Sequence, residues 1–258
     1  MNTHIMKPLS ICYITLNAEK HLAKSLQQSL KLTDDIVIVD SGSQDSTASI
    51  AEQYAVRFIE QDWLGFSAQK QLAIDSVTND WVLFLDADEI LTDAAIDEIK
   101  QVLSQSALVS AYSLPRQNWF QGKWIQHGSW WPDRVVRLVN RRQGKMKPVL
   151  VHESWQTEGE IKELQGAIQH FSFDSYGDLL KKADSYSDLS SKQLFKVGKK
   201  CSKWAPLTHA FASFIRLFIF KQGFRDGIEG AAIAYTTGLG AFLKYAKLQE
   251  LYRQSKES

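Results

Sequence analysis

Over residues 9–103 the apolar positions fall in short unbroken runs separated by amphipathic stretches. Leu9 to Thr15, Ile36-Val37-Ile38-Val39-Asp40, Val56 to Glu60 and Trp81 to Asp86 read as strands. Runs of this length without alternation belong to strands covered on both faces. Between them, Leu22, Leu26 and Leu30 recur at i, i+4 and i+8 in a helix that Asn17 can cap. Asp45 or Ser46 opens a second helix through Tyr54, Phe66 to Val77 forms a third, and Thr92 caps a fourth carrying Ile96, Ile99 and Leu103. Strands alternating with helices predict βαβ units, a mostly parallel sheet and right-handed crossovers.

The pattern changes near residue 110. Residues 110–171 hold short strands, Gly/Pro turns and five of the eight Trp residues. From Ser175 the chain reads as helical, with Pro206 separating two stretches and Gly223 and Gly227 interrupting the second. Ala210 to Phe220 is the nearest approach to a spanning segment, but it is short and contains Arg216. Lys7 and Pro8 stand where a secretory signal would need an apolar core, so no such signal is expected.

The chain has 258 residues, which bounds it to one large domain or a domain with an appendage. Cys12 and Cys201 are its only cysteines, so neither a disulfide framework nor a cysteine-metal cluster is expected. Net charge is +1, yet it is unevenly spread. Residues 181–258 carry 14 Lys and Arg against 6 Asp and Glu, leaving 16 against 23 for residues 1–180. A basic last third suits an anionic surface or acceptor; solvated helix faces are the competing explanation.

Candidate chemistry gathers at the expected strand ends. Asp86-Ala87-Asp88 closes the fourth strand, and paired carboxylates there can hold Mg²⁺ or Mn²⁺ shared with substrate phosphates. Thr15-Leu16-Asn17 ends the first strand, and Asp40-Ser41-Gly42-Ser43 the second. Asp40 can accept hydrogen bonds from a base or ribose, and Lys70 can approach phosphates. The alternative for Asp40 and Asp45 is turn and cap chemistry.

These pieces together resemble a known family. ICYITLNAEKHLAKSLQQSL, IVIVDSGSQDSTASIAEQYA, GFSAQKQLAI and WVLFLDADE are similar to glycosyltransferase family 2, with the GT-A nucleotide-diphospho-sugar transferase fold. The resemblance implies an α/β, Rossmann-like, mostly parallel sheet with a helical C-terminal extension. The expected layout is a GT-A catalytic domain over residues 1–172, with a nucleotide-binding part at about 7–110 and an acceptor part at about 111–172. The helical extension takes residues 173–258.

By that resemblance Thr15, Asn17, Asp40, Lys70 and Asp86 bind the nucleotide sugar. Asp86, Asp88 and a late histidine, His152, bind a divalent metal, Mg or Mn. His152 as a core or hydrogen-bonding residue is the alternative. The family inverts the anomeric centre in one displacement, which requires a general base. Asp133 falls at the second acid of the usual pair in Trp130-Trp131-Pro132-Asp133, although Pro132 replaces the first acid. A salt bridge from Asp133 to Arg134 or Arg137 is the competing reading, and His127 and Glu153 are weaker bases. Trp130, Trp131 and Arg137 are acceptor candidates. At least two of Trp119, Trp124, Trp130 and Trp131 are expected to be buried.

GSWWPD, VHE, the run Arg216 to Gly230 and Lys244-Tyr245 resemble bacterial lipopolysaccharide core glycosyltransferases. That branch implies transfer of glucose from UDP-glucose to inner-core heptose. The implied partners are a UDP-sugar donor, the lipopolysaccharide core acceptor and the inner membrane surface, reached through the basic C-terminal helices, with no nucleic acid. The implied location is cytoplasmic, either free or peripheral on the cytoplasmic face of that membrane. The alternatives are another acceptor (O-antigen, capsule or polyprenyl phosphate) or a non-catalytic carbohydrate- or membrane-binding relative.

Overall fold

The apolar runs become strands within a residue of the expected bounds. In the computed structural model, which describes residues 6–105, 109–148 and 154–257, the chain begins with β1 (Leu9–Thr15), α1 (Glu19–Ser29), β2 (Ile36–Asp40) and α2 (Thr47–Gln53). It continues through β3 (Arg57–Glu60), α3 (Phe66–Asp75), β4 (Trp81–Asp86), β5 (Glu89–Leu91) and α4 (Asp93–Leu103). These four first strands lie in the order β3-β2-β1-β4, all parallel.

Period-two side-chain alternation splits the buried strands between two cores. Leu9, Ile11, Tyr13, Ile36, Ile38, Leu83 and Leu85 face one side, against Leu22 and Leu26 of α1 and Ile96 and Ile99 of α4. Cys12, Val37, Val39, Val82 and Phe84 face the other, against Ala73 and Ile74 of α3. Thr92 caps α4 as expected, accepting from the Ala95 amide at 3.2 Å. Asn17 caps nothing: Ala18 is the N-cap of α1, without a side-chain bond. The Asn17 side chain instead accepts the Gln44 amide at 2.9 Å, and its backbone is left-handed.

The rest of the sheet is joined mainly by antiparallel pairs. β6 (Ala111–Phe120), β7 (Lys123–Trp124), β8 (Asp133–Asn140), β9 (Gly144–Met146), β10 (Trp155–Thr157), β11 (Ile161–Glu163) and β12 (Ile168–His170) follow. β8 pairs antiparallel with β4 and β6, and β12 with β5. The sheet order is β3-β2-β1-β4-β8-β6-β12-β5.

The chain forms two compact units. The first contains the described residues up to Gln117 and Asp133–Phe171. The second contains Asn118–Pro132 and the residues from Ser172 onward. In the second, α5 (Tyr176–Lys196) and α6 (Ala205–Ile215) both pack on α7 (Gly227–Glu257). Ser175 and Asp178 form a capping box that starts α5. Pro206 sits in the first turn of α6, where a missing amide hydrogen costs nothing. A π turn at Arg216–Phe220 and a 3₁₀ turn at Gly223–Asp226 separate α6 from α7.

The loop of the second unit packs Phe120 and Ile125 against Leu179 and Ile233. Trp119, Trp124, Trp130 and Trp131 are all only half-buried, contrary to the expectation of at least two in the core. Ring contacts cover three of them in part: Trp119 meets Trp124 edge-on at 4.8 Å, and Trp130 stacks on Phe173 at 5.2 Å and meets Phe120 edge-on at 6.2 Å. The buried tryptophans are Trp81 and Trp155.

Leu83→Ala should lower unfolding free energy by about 2–5 kcal/mol in urea titration, because Leu83 is fully enclosed. Gly230→Ala should destabilise by about 1–3 kcal/mol, since an added Cβ would overlap the Gly223 carbonyl.

Candidate active site

Parallel register brings three sequence-singled residues to one edge. Thr15 lies opposite Asp40, and Ile14 opposite Asp86. Open α/β sheets bind ligands at this C-terminal edge. Asp40 is buried and its carboxylate is saturated. Oδ1 accepts from the hydroxyls of Thr15 and Ser43, both at 2.6 Å, and Oδ2 from the amides of Gly42 at 2.9 Å and Ser43 at 2.7 Å. Gly42 has φ +89, which favours glycine in this turn. Asp45 accepts from the Thr47 amide at 3.0 Å, so it too serves the turn. The Asn17 amide donates to Ser43 Oγ at 2.8 Å, tying the loops after β1 and β2 together.

Next to this edge runs a chain of alternating charges. Lys70 of α3, buried, places Nζ 2.9 Å from Asp86 Oδ1. Arg137 of β8 places one terminal nitrogen 2.7 Å from Asp86 Oδ2 and 2.7 Å from Glu89 Oε1, with Nε donating to Glu89 Oε2 at 2.9 Å. Arg116 of β6 reaches Glu89 Oε1 at 3.3 Å and Asp133 Oδ2 at 2.6 Å. The guanidinium of Arg137 also lies over the Phe84 ring, 5.1 Å from its centroid. The series is therefore Lys70, Asp86, Arg137, Glu89, Arg116, Asp133.

Burial raises the carboxyl pKa of Glu89, whose side chain is 0% exposed, but Arg137 and Arg116 together more than reverse this and hold it below the ordinary value. Asp86 is likewise pushed up by burial and brought far down by Lys70 and Arg137. Both are thus carboxylates. Asp133 keeps 31% of its side chain exposed and meets Arg116, not Arg134 or Arg137. Arg137 is buried, so its guanidinium supports carboxylates from within the sheet.

Asp88 lies in the turn after β4, 34% exposed, with His170 Nε2 at 3.6 Å from Oδ2. Burial lowers the His170 pKa, with Asp88 and Glu89 opposing, which favours the neutral imidazole that ligates metals. His152 and Glu153 lie outside the described residues. Trp130, Trp131 and His127 belong to the second unit, where His127 Nδ1 sits 3.1 Å from Asp226. Three residues of the cluster escaped sequence reasoning: Glu89, Arg116 and His170. Glu89 directly follows Asp88, and that adjacency was its one available signal. Arg116 and His170 enter through strand pairings, with Arg116 opposite Asp133 and His170 opposite Glu89.

Residues 10–156 match the protein family described as glycosyl transferase family 2. The chain belongs to that family. It is 30% identical to the lipopolysaccharide core biosynthesis glycosyltransferase LpsC of Rhizobium meliloti, over 94% of this chain and 92% of the relative. An uncharacterized glycosyltransferase of Rickettsia felis is also 30% identical, over 97% of this chain and 93% of the relative. Two solved structures share the architecture. One is S. aureus TarS 1-349 in complex with UDP-GlcNAc (12% identity, TM-score 0.53, 97% of this chain and 92% of that one). The other is the Pyrobaculum calidifontis mannosyltransferase PcManGT in complex with GDP-Man and Mn²⁺ (15% identity, TM-score 0.53, 97% and 89%). The fold is GT-A, and the chain is a family 2 glycosyltransferase.

Among the described residues, no group of three or more His, Cys, Asp and Glu side chains could hold a metal ion by itself. Within this glycosyltransferase each Asp86 oxygen already meets a cationic side chain, Lys70 or Arg137. Asp88 and His170 could supply two ligands, which fits a hard cation that takes its remaining oxygens from phosphates and water.

Arg137→Met should cost about 3–5 kcal/mol in urea unfolding, because it removes the counter-charge that Glu89 and Asp86 share and leaves them only Arg116 and Lys70. Arg142→Met removes an exposed pair with Asp80 at 2.7 Å and should cost less than about 1 kcal/mol.

Proposed function

We propose that this glycosyltransferase moves glucose from UDP-glucose to a heptose of the lipopolysaccharide inner core, with inversion at the anomeric carbon. The observation that carries this reading is the extent of the LpsC match. It covers 94% of the chain, so it continues well into the helical residues beyond 156, where the family match ends. A shared helical unit supports a shared class of acceptor.

The proposed chemistry divides among named residues. Asp133 takes the proton from the attacking acceptor hydroxyl. Arg116 fixes Oδ2 of Asp133 and so orients the carboxylate. Thr15, Asn17 and Asp40 hold the loops that receive the nucleotide, and Lys70 and Arg137 hold Asp86 at its edge. Asp88 and His170 would hold the divalent cation, Mg or Mn. When bound, that cation supplies Lewis-acid stabilisation for the charge of the departing diphosphate.

The test is release of UDP from UDP-glucose and from UDP-galactose with Mn²⁺, with and without heptose-terminated truncated lipopolysaccharide. Acceptor-dependent release from UDP-glucose is expected. Release only from UDP-galactose would overturn the sugar, and no acceptor dependence would overturn the acceptor. Asp88→Ala should abolish turnover and weaken metal-assisted UDP binding. Asp133→Asn should lose about 100-fold or more in turnover while UDP binding by calorimetry stays intact. Loss of UDP binding in Asp133→Asn would remove this residue from the base role.

A further inference from the structure

The helical unit carries a surface that neither the sheet nor the chemistry above uses. From Lys199 to Arg225 the chain has six Lys or Arg residues and no Asp or Glu. These six (Lys199, Lys200, Lys203, Arg216, Lys221 and Arg225) are all exposed. Among the described residues none of them forms an ion pair with a carboxylate.

The same segment exposes large apolar side chains. Trp204, Leu207 and Phe211 are spaced i, i+3 and i+7, so they share one face of α6 and its first residue outside the helix. Phe211 is 68% exposed. Ile219 and Phe220 in the π turn and Phe224 in the 3₁₀ turn are exposed as well, with Phe220 at 76%. The α7 contact borders this stripe, where Ala210 and Phe214 approach Gly238, and leaves Trp204, Leu207 and Phe211 more than half exposed. Scattered exposed apolar residues need no explanation, but large exposed apolar side chains concentrated in one basic, acid-free segment do.

We propose that this face of α6 and the following turns lies in the interface of an anionic phospholipid bilayer. The argument for a bilayer is charge and geometry. An anionic leaflet attracts each nearby Lys or Arg, and the absence of acids over this segment removes all opposition. An in-plane helix with Trp, Phe and Leu on one side and cations beside them buries its rings at the headgroup boundary. Lys and Arg stems extend along the apolar surface while their charges reach the headgroups. Among the described residues no helix is long and apolar enough to cross a membrane, so this surface lies on the bilayer without spanning it. Docking would bring the enzyme to a lipid-anchored acceptor; that purpose rests on the proposed function, whereas the docking itself does not.

The test uses the full chain without donor or acceptor, so it stands or falls apart from the transfer reaction. Flotation with vesicles of phosphatidylcholine plus phosphatidylglycerol should show binding that falls with salt, and vesicles of phosphatidylcholine alone should show little. Phe211→Ser with Phe220→Ser should weaken binding at least about tenfold. Lys200→Gln, Lys203→Gln and Lys221→Gln together should weaken it by about fivefold per cation or less. Quenching by brominated lipid should be stronger in the wild type than in Trp204→Phe. Unchanged UDP affinity and melting temperature would show that each variant folds. Equal binding to both vesicle types, variants that bind as the wild type, or no Trp204 quenching would overturn the proposal. So would a wild-type dimer in sedimentation that the double Phe variant dissociates, since a second copy would then cover this face.

Discussion

The charge on Glu89 dictates much of what surrounds it. A carboxylate with no exposed side-chain surface cannot remain ionised without partners, because desolvation opposes it strongly. Arg137 answers with two nitrogens on its two oxygens, and Arg116 adds a third contact. Glu89 Oε2 also accepts the amide of Asp86 at 3.1 Å, so the same carboxylate closes the turn after β4. One buried charge thereby fixes the end of a parallel strand, an arginine from each of two antiparallel strands, and the start of the next strand. Arg137 is the one cation shared by both buried carboxylates, so its loss weakens the compensation of Asp86 and Glu89 together.

This arrangement separates support from contact. Asp40 and Asp86 look interchangeable in sequence, as acids ending buried strands. In the fold they neutralise different things: Asp40 orders a loop through four donors, while Asp86 is matched by two cationic side chains. Neither needs to move for the loops to keep their shape. Preorganised polar groups of this kind lose little reorganisation energy when charge develops nearby. Asp88 and Asp133 retain about a third of their side-chain surface, with His170 beside Oδ2 of Asp88 and Arg116 on Oδ2 of Asp133.

What was legible in the sequence follows the range of the interactions. β1, β2 and β4 are buried on both faces, so continuous apolar runs located them, and Thr92 announced α4 through local capping chemistry. The acids at strand ends were visible because strand ends are local. Arg116 and His170 were not, since they arrive through antiparallel pairings that join residues far apart in sequence. The pairing of Asp133 with an arginine was legible but the partner was not: neighbours at 134 and 137 were nearer in sequence, and Arg116 was nearer in space. The four tryptophans misled for another reason. Composition suggests burial, but pairs of rings can cover one another and still leave one face to solvent.

The charge balance of the cluster bears on what it can receive. Lys70, Arg137 and Arg116 offset Asp86, Glu89 and Asp133 one for one, and each cation is already engaged. On the proposed reading, a nucleoside diphosphate would bring further negative charge to an edge whose arginines and lysine are committed, beside Asp88, which adds one more. With a neutral His170 next to it, Asp88 would repel that ligand. On the proposed reading the repulsion is what a divalent cation resolves: it turns Asp88 from an obstacle into a ligand and gives the diphosphate a counter-charge that the cluster does not supply. The expected dependence of UDP binding on both Mn²⁺ and Asp88 is then a consequence of neutrality in the buried network, not of the two-acid motif alone.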